Sequence, residues 1–293
     1  MTLTSQMSPK QDVRCINEKR RLMIRFGGSA ALLALLAPCT TARAETISLS
    51  TAINRSGKLR ALSQRIAKGY TQLALGVLPE KALGIIADSQ ATVQRNIHEL
   101  QLFGGTPELI TALTALDGEA KKLIISTSKG AVKANALEIS AMADHVWAGA
   151  EHTTQYYETL AKSPQARIVN LCGRQRMLSQ RTAKCYMLIQ AGFDGKLVRE
   201  EMQNSRAQFN AAMETLLKAP ISTLPIRQDL ELAKQQWGAF QLSLDLQPNA
   251  AMIRNVATTS ERVLELMDNL TNQYDSALKE LLGEIHTGNK VVS

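Results

Sequence analysis

Apolar residues recur every three or four positions through most of the chain, which is the spacing of one face of an α-helix. In the stretch 53–73 the apolar stripe is formed by Leu59, Leu62, Ile66 and Leu73, at spacings of three, four and seven. The sequence contains no alternation of Val, Ile and Thr over the length of a strand. The pattern therefore predicts an all-α fold.

Glycines and prolines divide this pattern into eight helical segments. The breaks fall near 76–79, 104–107, 128–131, 163–164, 192–195, 220–225 and 247–248. Because short loops favour antiparallel neighbours, we expect two tandem antiparallel four-helix bundles. The boundary at Ser163-Pro164 gives a first bundle over 45–163 and a second over 164–293. We expect the second helix to span Pro79 to Phe103 and the fourth to span Ala131 to Lys162.

A segment of the first helix returns 116 residues later, in the fifth helix. The pattern Asn-x-x-Gly-x-x-Arg-x-Leu-Ser-Gln-Arg-x-Ala-Lys-x-Tyr occupies 54–70 and 170–186, with ten identities in seventeen positions and no gap. This density of identities indicates an internal repeat. Both copies keep a glycine, Gly57 and Gly173, although glycine costs a helix about 1 kcal/mol relative to alanine. We therefore expect another backbone, or a ligand, to come close at each glycine.

The two repeat segments carry only positive charge, since neither 46–79 nor 159–193 contains Asp or Glu. A solvated helix ordinarily mixes signs, because acid–base pairs four residues apart stabilise it. We expect an anion to supply the missing counter-charge, and arginine suits this task because its planar group grips an oxyanion with two donors. If the two helices pack side by side, Arg65 and Arg181 can close on one small anion. The alternative is that these arginines are solvated or that the repeat preserves a packing face.

The repeated pattern resembles the N-terminal ligand-binding module of PilJ-type chemoreceptors, which is related to the periplasmic domain of nitrate/nitrite sensor kinases. In those kinases the equivalent segment, the P-box, lies on the first helix of a four-helix bundle. Two such helices meet at a dimer interface and hold nitrate between a pair of arginines. The Ser-Gln-Arg of both copies follows the PilJ-type version, where the kinases usually carry an aromatic residue before the arginine.

The resemblance implies ligand contacts at six positions of this chain. Gly57 and Arg65 in the first copy, and Gly173 and Arg181 in the second, match the residues that contact the anion. Arg60 and Arg176 match the other P-box arginine. The implied ligand is a small oxyanion, nitrate or nitrite first, and the implied process is chemotaxis-type signal transduction, with a possible homodimer.

Residues 1–44 resemble an export signal. A basic region ends at Arg25, an apolar run extends from Ala30 to Ala37, and Ala42-Arg-Ala44 offers a small-x-small cleavage site. Arg20-Arg21 also permits a twin-arginine signal, so Sec and twin-arginine export both stay open. We expect a periplasmic protein with no membrane-spanning segment after residue 44.

The net charge of +8 does not predict nucleic-acid binding, because much of the excess lies in the export signal. Residues 45–293 hold 27 basic and 24 acidic side chains. Two of the four cysteines, Cys172 and Cys185, lie beyond the signal, and we expect both to be small buried residues. The sequence contains no nucleophile elbow, phosphate-binding glycine loop or zinc-ligand spacing, so we expect no enzyme, cofactor or metal.

Taken together, the sequence predicts an exported sensory protein that binds a small oxyanion and signals by contact with a membrane receptor or transporter. A structural or assembly factor of a pilus or envelope complex, with the repeat as a packing surface, is the alternative. An accessory enzyme of respiratory oxyanion reduction is a third class, which lacks catalytic or cofactor groups in the sequence.

Overall fold

The computed structural model describes residues 47–283, and over this range it contains eight α-helices and no strand. The all-α prediction is confirmed. The helices are α1 Leu49–Ala74, α2 Pro79–Phe103, α3 Pro107–Thr127, α4 Ala136–Ala161, α5 Pro164–Gln190, α6 Lys196–Lys218, α7 Leu224–Asp245 and α8 Ala250–Leu282. The predicted export signal lies outside the described residues.

Local sequence signals explain most helix boundaries. The side chains of Ser48, Thr106, Ser163 and Asn249 accept hydrogen bonds from the first backbone N–H groups of α1, α3, α5 and α8. Proline stands in the first turn of α2, α3, α5 and α7, where it leaves no hydrogen bond unmade. The second helix has the predicted bounds. The fourth begins at Ala136 instead of Ala131, because a short 3₁₀ turn, Lys133–Asn135, precedes it.

The two repeat helices lie at the centre of the fold. Helix α1 packs against α2, α4 and α5, and α5 packs against α6, α8 and α1. Both are buried on every side, whereas α2, α3, α6 and α7 bury only one face. A helix buried all round is normally apolar, so the buried polar side chains of α1 and α5 require partners within the protein.

The eight helices fall into two sets of four in chain order, α1–α4 and α5–α8, which contact each other mainly through α1 and α5, with smaller contacts of α1 with α8 and of α4 with α5. The placement of a domain boundary at Ser163-Pro164 stays a prediction. Between residues 47 and 283, no helix combines the length and the apolar run needed to cross a bilayer.

Candidate functional site

The two copies of the repeat lie side by side and run in the same direction. Arg60 Nη2 donates to Asn170 Oδ1 at 2.7 Å, and Arg181 Nε lies 3.4 Å from Gln64 Oε1. Helix α8 also contacts both copies in the same order. Asp268 pairs with Lys58 and Arg176, and the preceding turns of α8, at Ser260 and Glu261, bond the later residues Gln180 and Lys68, so α1 and α5 are parallel. The two copies of the repeat, 116 residues apart in the sequence, are therefore related in space by an approximate two-fold axis between α1 and α5.

Arg60 holds the first copy to the second. Its side chain is fully buried, and its Nε donates to the carbonyl of Gly57 at 3.3 Å. Nη1 donates to Glu151 on α4, and Nη2 donates to Asn170 on α5. Burial lowers the pKa of Arg60 to about 10, against the opposing effect of Glu151, and the guanidinium remains charged at neutral pH.

Arg176 repeats these contacts from the other side. Its side chain is also buried, and its Nε donates to the carbonyl of Gly173 at 3.3 Å. Nη1 donates to Asp268 on α8 at 2.6 Å, and Nη2 donates to the carbonyl of Asn54 on α1 at 3.1 Å. Each arginine therefore ties three helices together.

The repeated glycines make room for these two guanidinium groups. A Cβ at Gly57 would lie 3.0 Å from Arg60 Nη2 and 3.7 Å from Arg176 Nη2. A Cβ at Gly173 would lie 3.0 Å from Arg176 Nη2. Within residues 47–283 the group that comes close to each glycine is an arginine side chain of the repeat and not another backbone, and a ligand contact at the glycines stays a prediction.

The counter-charge for the repeat helices comes from the last helix of each set. Three acids spaced seven apart lie on one face of α4, namely Asp144, Glu151 and Glu158. Three more lie on one face of α8, namely Glu261, Asp268 and Asp275. Each member of the second row follows its counterpart by 117 residues. We call these rows the α4 acids and the α8 acids.

These acids correct the expectation that the repeat helices are short of counter-charge. Glu151 pairs with both Arg60 and Arg174, and Asp268 pairs with both Arg176 and Lys58. The seven-residue spacing and the shared offset were visible in the sequence. Sequence reasoning missed them because it examined charge within the repeat segments alone.

Each repeat also forms a cluster of ion pairs near its carboxyl end. Glu261 accepts hydrogen bonds from Arg65 Nε at 2.9 Å and Nη2 at 2.6 Å, and a further one from Lys68. Arg65 Nη1 also donates to Ser89 on α2 at 3.0 Å. Burial of Glu261 raises its pKa, but the two cations outweigh burial and lower it to about 2.

The corresponding cluster in the second copy has more acid. Arg181 lies 3.2 Å from Glu201 and 3.6 Å from Asp144, and Lys184 lies 3.1 Å from each of the same two carboxylates. The Arg181 guanidinium also stacks 4.2 Å from the ring centre of Trp147, a cation–π contact. The Arg181 cluster thus pairs two cations with two carboxylates, whereas the Arg65 cluster pairs two cations with one.

The structure does not bring Arg65 and Arg181 onto a shared partner within residues 47–283. Arg65 turns toward α8 and α2, and Arg181 turns toward α4 and α6. To hold one anion between them, Arg65 and Arg181 of a single chain would both have to leave these partners. Both side chains keep some exposure, 17% for Arg65 and 12% for Arg181, whereas Arg60 and Arg176 are enclosed. Contact of these four arginines with a ligand stays a prediction.

Cys172 and Cys185 are buried and free, as expected for small core residues. Burial raises the pKa of Cys172 to about 12 and also raises the pKa of Cys185. Within residues 47–283, no three His, Cys, Asp or Glu side chains are grouped as a metal site would require.

Comparison with known families gives one match. A family model described as PilJ, type IV pili methyl-accepting chemotaxis transducer N-term, matches residues 44–142 and 161–280. These two segments contain both repeat helices and the α8 acids, whereas the α4 acids lie in the interval between the segments. No curated protein and no solved structure matches the chain.

Proposed function

This chain belongs to the PilJ family of chemotaxis transducer N-terminal modules, and from that premise we propose that it senses a small oxyanion, nitrate or nitrite first. The family is one of sensory modules that act through signalling partners. The choice of an oxyanion, and the place where it binds, rest on the charges of the repeat helices.

The observation that carries the proposal is an excess of cations around α1 and α5. Among the ion pairs of α1 and α5, Arg55–Glu99 and Arg167–Glu158 are one to one, and the others are formed by eight cations and five carboxylates. The cations are Lys58, Arg60, Arg65, Lys68, Arg174, Arg176, Arg181 and Lys184. The carboxylates are Asp144, Glu151, Glu201, Glu261 and Asp268. Because carboxylates are shared, a small anion improves the charge balance of these clusters.

The Arg65 cluster is the best place for that anion. It holds two cations against one carboxylate, and Arg65 is partly exposed. A small cavity of about 210 Å³ lies against Glu261, with Lys81 and Arg262 also on its wall. Arg65 and Lys68 do not line this cavity, so it serves as an approach to the cluster past Glu261, and its two cations favour the entry of an anion. The Arg181 cluster, with two carboxylates, competes more strongly against an incoming anion.

The proposed signal is an exchange of partners. An oxyanion on Arg65 and Lys68 takes the place of Glu261, and the two ion pairs that hold α8 to α1 at this level are lost. Helix α8 then shifts by about 1–2 Å, the scale of helix movements at interfaces. Arg60, Arg176 and their glycines bind no ligand in this scheme, and instead keep α1 and α5 together while α8 moves.

The remaining parts of the proposal concern location and partners. The export signal predicted in residues 1–44 sends the chain to the periplasm by the Sec or twin-arginine route. A membrane receptor or transporter then responds to the position of α8 by direct contact. Pairing of two copies is compatible with the scheme.

A specific observation also favours the assembly-factor alternative. The contacts of Arg60 and Arg176 are the ones that the two copies repeat most closely. Both side chains are buried, and each joins three helices. In that alternative the repeat is a packing surface throughout, and the Arg65 cluster is one more structural ion pair.

Calorimetric titration of the full chain with sodium nitrate at low salt separates the two functions, because screening weakens partly exposed Arg–anion contacts. We expect one saturable site per chain, lost in Arg65→Gln and retained in the matched variant Arg181→Gln, with the helical circular dichroism signal unchanged in both. The assembly-factor alternative predicts no nitrate heat in any of the three proteins. Half a site per chain would place the anion between two copies and contradict the single-chain site.

A further inference from the structure

Helices α2 and α6 correspond to each other, because each packs on the repeat helix of its own set. The offset of 116 residues that relates the repeats also places Ser89 of α2 on Ser205 of α6, and both serines are buried. Since Ser89 bonds Arg65, this register identifies the residues of α6 that correspond to the surroundings of Arg65. One turn before the serines, Ile85 on α2 corresponds to Glu201 on α6.

Ile85 gives the surroundings of the Arg65 cluster an apolar wall. Its side chain is only 9% exposed, and it lines the cavity of about 210 Å³ together with Glu261. It offers no charge to Arg65 or Lys68. Within residues 47–283, Glu261 is the one carboxylate that pairs with these two cations. An oxyanion that enters the first copy therefore competes with a single carboxylate.

Glu201 brings a carboxylate to the corresponding place in the second copy. Its Oε1 lies 3.2 Å from Arg181 Nε and 3.1 Å from Lys184 Nζ. One carboxylate oxygen is thus shared by a guanidinium and an ammonium group, which is a contact that an oxygen of a bound oxyanion would also make. Asp144 on α4 pairs with the same two cations, so the charges of the Arg181 cluster are balanced without a ligand.

We propose that Glu201 closes the second copy to oxyanions, because it supplies Arg181 and Lys184 with a carboxylate that the first copy lacks. This inference rests on the proposed function, since the Arg65 cluster serves as the example of an open site. The two copies then differ in role. The first binds an oxyanion and releases α8, whereas the second keeps α4 and α6 attached to α5. Glu201 therefore sets the stoichiometry at one oxyanion per chain.

The variant Glu201→Gln tests this role, because it removes the charge and keeps the size of the side chain. The Arg181 cluster then has two cations and one carboxylate, as the Arg65 cluster has. In calorimetric titration of the full chain with sodium nitrate at low salt, we expect one site in the wild type and two in Glu201→Gln. The two affinities are expected to agree within about tenfold. Adding Arg181→Gln to Glu201→Gln is expected to remove the second site.

The matched control is Glu200→Gln, which removes the same charge from the neighbouring residue of α6. Glu200 is 53% exposed and pairs with Lys196, which is also exposed. We expect one nitrate site in this variant, as in the wild type. A second site in Glu200→Gln would mean that net charge, and not the position of Glu201, limits the stoichiometry, and it would overturn the inference.

A reciprocal exchange in the first copy gives a test that does not depend on the folding of Glu201→Gln. Ile85→Glu places a second carboxylate beside Arg65 and Lys68, and we expect the affinity for nitrate to fall by about tenfold or more. Ile85→Gln introduces a side chain of the same size without the charge, and it is expected to bind nitrate within about threefold of the wild type. Equal affinities of these two variants would contradict the role of the carboxylate.

The titrations also separate this inference from the proposed function. A single site in both the wild type and Glu201→Gln would overturn the inference and leave the Arg65 site in place. Absence of a site in the wild type would overturn the proposed function. If a site that requires Arg181 then appeared in Glu201→Gln, the closing role of Glu201 would still be supported. Absence of nitrate heat in both proteins would overturn both.

Discussion

Arg60 donates to the side chain of Asn170, 110 residues later in the chain, at 2.7 Å. Arg176 makes the corresponding contact in the opposite direction, to the carbonyl of Asn54 at 3.1 Å. Each copy of the repeat therefore supplies an arginine to the other copy. This exchange explains why the motif is duplicated, since one copy alone leaves its buried arginine without the helix it binds.

The first prediction concerns the stability that this exchange provides. Arg60→Ala removes a fully buried cation and leaves Glu151, which is 12% exposed, with Arg174 as its remaining ion-pair partner. Removing one member of a buried ion pair typically costs about 3–5 kcal/mol. We expect a loss of this size in the free energy of unfolding, measured by urea denaturation with circular dichroism.

The matched control for Arg60→Ala is Arg199→Ala, whose ion pair with Asp194 is exposed on both sides. An exposed pair contributes about 0–1 kcal/mol, so this variant is expected to unfold close to the wild type. A loss below about 1 kcal/mol in Arg60→Ala would contradict the clamping role of the buried arginine.

The second prediction concerns the repeated glycine. Alanine is favoured over glycine in a helix by about 1 kcal/mol, and Gly118→Ala on the exposed face of α3 is expected to gain stability of that order, because nothing lies within 4 Å of its added Cβ. Gly57→Ala is expected to lose about 1–3 kcal/mol instead, because its Cβ lies 3.0 Å from Arg60 Nη2, which Glu151 and Asn170 hold in place.

Urea denaturation of the two glycine variants gives the comparison. Opposite signs are the expected outcome. If Gly57→Ala stabilises the protein as much as Gly118→Ala does, the guanidinium moves aside without cost, and the glycine has another explanation.

The third prediction is a pH dependence of stability. The pKa of Glu261 is about 2 in the folded protein and ordinarily 4.5, so the folded state favours the charged carboxylate. Its contribution is complete above about pH 4.5 and is lost as the pH falls toward 2, and a shift of this size corresponds to about 3 kcal/mol. We expect Glu261→Gln to lose stability at neutral pH and to show a flatter decline between pH 5 and 3.

The control for this pH series is Glu231→Gln, because Glu231 is exposed on α7 and makes no ion pair with residues 47–283. It is expected to follow the wild-type curve. An equally steep decline in Glu261→Gln and the wild type would show that Glu261 is not held by Arg65 and Lys68.

The fourth prediction concerns the two buried thiols. Because burial raises the pKa of Cys172 to about 12 and also that of Cys185, almost no thiolate is present at neutral pH. In a chain that carries Cys15→Ser and Cys39→Ser, we expect Ellman's reagent to modify neither thiol in the folded protein and both in denaturant. Rapid modification of one thiol in the folded state would indicate an opening at α5.

The sequence predicts the helices, because apolar periodicity, prolines and glycines are local signals. It also shows that two of these helices carry the same motif. It also identifies Arg60 and Arg176 as repeated residues. The shared spacing of Glu151 and Asp268 is visible in the sequence, but their pairing with these arginines is not, because the acids lie on other helices and only the fold brings them near. The role of Gly57 is not visible in the sequence for a different reason, since it depends on the conformation of the Arg60 side chain, which turns back along the same helix.

The proposed function depends on the replacement of Glu261 by an oxyanion on Arg65. The most direct measurement is the proton uptake, read with a pH electrode, when sodium nitrate is added to the weakly buffered full chain at pH 4. A carboxylate released from its two cations returns from a pKa of about 2 toward 4.5, so most of one proton per chain is expected to bind. Arg65→Gln with nitrate, and the wild type with chloride, are expected to take up none. Saturable nitrate binding without proton uptake in the wild type would contradict the exchange.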